Sequence, residues 1–205
     1  MKLSLFPQDT KSLELLALTA AELMAGVKTL SEILGAPADD YDKLSEELHD
    51  RDANVSRLRF ALLTTLRTSV VNPLPREDMF QLSLHLVHTF EHLDGAAELI
   101  ALNRVKRLST RASEQLEVIG RMSEMTRDAM PRLNSLEDLD EYCIEMVRLA
   151  KRAERTHRVW VSELLSEHKG ATLARHRDVA DQLRAATKTL RQASHHVGQI
   201  LVKES

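Results

Sequence analysis

Residues able to stop a helix are few in this chain and far apart, and that spacing limits what it can fold into. Pro7, Gly35 with Pro37, Pro73 with Pro75, Pro131 and Gly170 divide the chain into long pieces whose apolar residues recur at helical intervals. The spacing predicts six helices, over about 9–34, 38–71, 75–106, 109–130, 135–168 and 171–203. In the second, Leu44, Leu48, Val55, Leu58, Leu62 and Leu66 form one stripe. In the third, Met79, Leu82, Leu86, Leu93, Ala97 and Ile100 do the same. A helix with one apolar stripe buries it against other helices, and helices of about 30 residues run roughly 45–50 Å. The expected class is therefore all-α, an elongated bundle of long antiparallel helices.

End signals support these pieces. Pro75 opens the third helix, with Glu77 and Asp78 near its positive end, and Arg104, Lys106 and Arg107 crowd its other end. Ser109 or Thr110 caps the fourth helix, and Ser135 with Asp138 resembles a cap for the fifth. The break near Leu108 has neither Pro nor Gly, so the third and fourth helices can also run on as one. The pair 38–71 and 75–106 matches the pair 135–168 and 171–203 in length, each pair preceded by a shorter helix. Residues 9–106 and 109–203 thus read as an internal repeat within one domain of 1–205, as two three-helix bundles side by side.

Charge and cysteine content narrow the function classes. With 28 Lys and Arg against 31 Asp and Glu, the net charge is −3, which makes no general case for nucleic-acid binding. Cys143 is alone, so neither an intramolecular disulfide nor a cysteine zinc cluster is expected. No run of about 18 apolar residues occurs, and the opening apolar stretch is too short for a signal peptide. The expectation is a soluble, intracellular, cytoplasmic protein. It is also expected to be no enzyme, since there is no G-x-S-x-G, P-loop, dinucleotide fingerprint or H-E-x-x-H.

One segment is more specific. Leu66-Arg67-Thr68-Ser69-Val70-Val71-Asn72-Pro73-Leu74-Pro75-Arg76-Glu77-Asp78-Met79 resembles a segment of the PhoU-like family that accompanies Pit-type inorganic phosphate transporters. Pro73, Arg76, Glu77 and Asp78 carry the motif, and Leu82, Leu86, Phe90 and Leu93 fit that family's next helix. The ends, Leu5-Phe6-Pro7 and Ile200-Leu201-Val202-Lys203, look similar too. The resemblance implies two three-helix bundles, a cytoplasmic homodimer with at most peripheral membrane contact, and an accessory role toward a Pit-type phosphate permease. Some members of the family bind iron or zinc clusters through Glu/Asp-x-x-x-Asp motifs. Here those motifs fall on Asp52 and Ser56, Val87 and Glu91, Ala150 and Glu154, and Arg184 and Lys188. Carboxylate pairs have become isolated carboxylates, and the last pair is two cations, so no cofactor is expected.

Histidine and charge clusters offer further candidates. His85, His88 and His92 share one flank of the third helix, and Glu91, Asp94 and Glu98 another. The metal candidates there are His88, Glu91 and Asp94; the plainer reading is a solvated polar face. Adjacent His195 and His196 point about 100° apart and, like His157, His168 and His176, read as surface or flank residues. Arg184, Lys188 and Arg191 form a basic stripe suited to docking on an acidic transporter loop or an anionic headgroup. Its plainer reading is pairing with Glu91, Asp94 and Glu98. A second function class is a carboxylate/histidine bundle binding divalent iron, zinc or manganese. Its ferritin-like form needs two Glu-x-x-His motifs, of which Glu154 to His157 supplies one. A third is a structural adaptor with no link to phosphate.

Overall fold

The computed structural model describes residues 10–204, so the Leu5-Phe6-Pro7 end of the resemblance lies outside the described residues. Among them every regular element is helical: α1 (Lys11–Gly35), α2 (Tyr41–Thr68), α3 (Arg76–Asn103), α4 (Thr110–Ala129), α5 (Leu139–Glu167) and α6 (Gly170–Glu204). Short 3-10 turns, Ala38–Asp40 and Pro131–Asn134, precede α2 and follow α4. The third-helix stripe from Met79 to Ile100 is fully buried, as are Leu48, Val55, Leu62 and Leu66 of α2.

Helices consecutive in the chain run antiparallel, as their cross-links reflect. Arg51 of α2 reaches Glu22 of α1, and Arg104 after α3 reaches Asp42 at the start of α2. Gln115 of α4 donates to the Ala153 carbonyl of α5, and Thr126 lies 3.1 Å from the Tyr142 hydroxyl. The helices group as α1–α2–α3 and α4–α5–α6, joined where α3 packs on α6 and α1 on α4. Outer helices α2 and α5 each pack on the two other helices of their own group. Gly26 permits the tightest internal approach: a Cβ there would lie 2.9 Å from Phe90 Cε2 of α3.

The break left open is settled as a true break, and some helix ends shift from expectation. The break near Leu108 is real, because Arg104 and Arg107 adopt left-handed backbone (φ 47° and 56°) where glycine is usual. Ser109 then caps α4 by accepting from the Arg111 amide. The fifth helix begins at Leu139, not 135. Ser135 does not cap α5: its hydroxyl donates to the Arg132 carbonyl and accepts from the Glu137 amide, and Leu136 and Asp138 take left-handed conformations. Buried Leu133 and Leu139 anchor that irregular turn on both sides. Finally, α2 stops at Thr68, three residues before the expected end.

Candidate functional site

Charged residues of facing helices come together in two places, one in each group of helices. Across α2 and α3, Asp52 faces Glu91 and Asp94. Burial and then these like charges push its carboxyl above the usual range. Asp94 is held by His49, whose Nδ1 lies 3.1 Å from Oδ2; this contact raises the imidazole's pKa. Across α5 and α6, Arg184 grips Glu154, with Nε 3.0 Å from Oε1 and Nη2 3.0 Å from Oε2. That contact holds the Glu154 carboxyl below its ordinary value. Val87 and Ala150 are buried in the apolar core.

Arg184 therefore pairs within its own group of helices, not with Glu91, Asp94 or Glu98 of α3 as expected. Both α3 and α5 pack on α6, and the flank decides: Gln182 meets His92 on the α3 side, while Arg184 lies on the α5 side, where Glu154 stands at the matching height. Further along the basic stripe, Lys188 is exposed and Arg191 Nε contacts His195 Nε2 at 3.3 Å. Reversing the charge with Arg184→Glu sets a carboxylate against Glu154 and Asp181. The variant is expected to lose about 1 kcal/mol, discounted for solvent access. The swapped pair Glu154→Arg, Arg184→Glu is expected to recover most of it in urea denaturation.

The histidine flank of α3 is an interface, not a solvated face. His92 Nδ1 lies 2.9 Å from Gln182 Oε1 of α6, and the His85 ring stands edge-on to His196 with centroids 6.3 Å apart. Burial pushes His85 below its ordinary pKa, with His196 and His88 adding to the effect. His88 is half-buried on the same flank, while Glu91 and Glu98 are exposed.

Three other histidines, read as surface or flank residues, are enclosed between helices. His157 is buried with Nε2 3.3 Å from Asp181 Oδ1. His176 is buried and stacks on His168 at 4.6 Å. His196 is turned toward α3. A lone histidine in a polar stretch carries no signal of which neighbour will cover it.

The motif residues divide by role. Pro73 sits half-buried in the α2–α3 turn, and Arg76 donates through Nη2 to the Ser69 carbonyl, tying that turn to α3. Arg76 and Glu77 border an open groove of about 580 Å³ whose apolar side chains include Phe60, Leu63, Leu66 and Phe80. Asp78 is buried, which its place in an acidic first turn did not suggest. It accepts from Lys203 Nζ at 2.8 Å, and His196 Nε2 lies 3.0 Å from the same oxygen without hydrogen-bond alignment. This contact, 125 positions apart in sequence, pins the end of α6 to the start of α3.

Among the described residues, no group of three or more His, Cys, Asp or Glu side chains is placed to hold a metal ion. The donors at the α5–α6 position do not fit one, since a guanidinium occupies the carboxylate. Cys143 is half-buried, and its thiol, raised in pKa by burial, donates to the Ser194 carbonyl. Trp160 is fully buried in the core. No described helix is long and apolar enough to cross a membrane. No protein-family model matches the chain, and no curated protein matches it.

Proposed function

We propose that this chain is a non-enzymatic, cytoplasmic accessory protein of Pit-type inorganic phosphate transport, acting by docking on the permease at the membrane face. The observation that supports it most is the pairwise meeting of the four aligned motif positions. Asp52 faces Glu91 in one group of helices, and Glu154 meets Arg184 in the other. The Arg76-Glu77-Asp78 segment has a concrete task on this reading, since it braces the α2–α3 turn and the α3–α6 contact.

The reading assigns no resident cofactor: Arg184 supplies at Glu154 the positive charge that a cation would bring. It leaves Lys188 and Arg191 of the basic stripe for contact with an acidic transporter loop. Co-expression of the full chain with a Pit-type permease is expected to alter phosphate uptake, and the two proteins are expected to co-purify from solubilised membranes. Unchanged uptake together with no co-purification overturns the proposal. Stoichiometric iron, zinc or manganese in the purified protein would favour the carboxylate/histidine metal protein instead.

A further inference from the structure

The outward face of α2 carries two rows of residues at seven-residue intervals. Asp39, in the turn leading into the helix, begins one row and Glu46, Ala53, Phe60 and Arg67 continue it. Lys43, Asp50, Arg57 and Thr64 form the other. All nine are exposed, Phe60 by 70%. Seven residues make nearly two helical turns, so each row runs almost straight along the helix. Charge is segregated along it. The acids lie in the N-terminal half, while residues 53–76 hold Arg57, Arg59, Arg67 and Arg76 and no Asp or Glu at all. The chain as a whole is net negative, so this half is a local exception.

Ionic pairing inside the chain bypasses most of this face. Arg51 is paired with Glu22, Asp42 with Arg104, and Lys43 with Glu47. Among the described residues, Asp39, Glu46, Asp50, Arg57 and Arg67 form no ion pair, and Arg57 donates to the Asn54 side chain. The charges left over are acidic at one end of the rows and basic at the other.

We propose that α2 is a dimerisation surface, packing antiparallel on the same helix of a second copy about a two-fold axis beside Ala53. The register follows from the rows themselves. An axis at Ala53 sets Asp39 opposite Arg67 of the partner subunit, and Glu46 opposite the partner's Phe60. Half a residue further along, Asp50 faces the partner's Arg57. Two-fold symmetry repeats each pairing. Ala53 meets its own copy, and its small side chain lets the backbones approach closely. Phe60, otherwise bare, is covered by the methylene stem of Glu46. Parallel packing would set acids against acids and arginines against arginines.

The test is the oligomeric state of the full chain by sedimentation velocity and light scattering. A dimer is expected at low salt. It should dissociate as salt rises, because the Debye length falls to about 3 Å near 1 M. Asp39→Arg with Asp50→Arg makes the face wholly basic apart from Glu46; Arg57→Asp with Arg67→Asp leaves only Lys43 cationic. Each double variant alone is expected to be monomeric with an unchanged circular dichroism spectrum. Mixed in equal amounts, they are expected to form a heterodimer, which misfolded variants would not do. A wild-type chain that stays monomeric, double variants that still dimerise, or a mixture that fails to associate overturns the proposal. The readout does not involve phosphate, so it stands or falls separately from the transport reading.

Discussion

Trp160→Ala is expected to be the most damaging single truncation in the chain, costing about 3–5 kcal/mol by loss of buried area and the cavity left behind. Trp160 is fully buried on α5 and is the largest enclosed side chain. At this chain length each kcal/mol lowers the melting temperature by about 2–4 °C, so the loss is easily read by circular dichroism. Trp160→Phe separates volume from polarity. The indole N–H has no hydrogen-bond partner, so phenylalanine removes a buried unsatisfied donor while keeping most of the ring. It is expected to cost far less than alanine. An alanine variant melting with the wild type would show that α5 is not held by this side chain.

How much of this was legible in the sequence depends on what a residue's neighbours in the chain can specify. The α3 stripe from Met79 to Ile100 was readable because burial repeats every three or four residues along one helix, and the structure buries all of it. The start of α5 was not. Ser135 and Asp138 have cap chemistry, but buried Leu133 and Leu139 hold the intervening segment in a turn that a local pattern does not encode.

The candidate site divides the same way. That Arg184 and the polar flanks of α3 were worth weighing was readable from spacing along single helices. That Arg184 takes Glu154, and that Asp78 takes Lys203, depends on which helices become neighbours. Asp78 shows the difficulty best. An acid in a first turn has a sufficient local explanation in the helix dipole, which hides its tertiary contact.

The enclosed histidines carry the second large prediction: the fold is expected to lose stability as pH drops below about 6.5. His85, His157 and His176 all have pKa values lowered chiefly by burial. For His157 burial and Arg184 together outweigh the attraction of Asp181. A histidine whose folded pKa lies below its unfolded one binds fewer protons when folded, so stability rises with pH. The contribution is complete above the unfolded pKa and declines as pH falls toward the folded value. Each histidine kept neutral gives a slope of up to about 1.4 kcal/mol per pH unit. His49 acts in the opposite sense, being raised by Asp94, but it is exposed and single. The lowered carboxyl of Glu154 is lost only below its ordinary range, at lower pH.

Urea midpoints at pH 7.5 and 5.5 measure the effect. A midpoint that is level or higher at pH 5.5 would refute it, and His157→Gln or His176→Gln should flatten the dependence. All three histidines lie on α6 or on the face of a helix packed against it, His85 by His196, His157 by Asp181, and His176 on α6 itself. Protonation therefore weakens the two largest contacts that hold α6, on α3 and on α5. Amide exchange at pH 5.5 is expected to accelerate along α6 before it does so in α1.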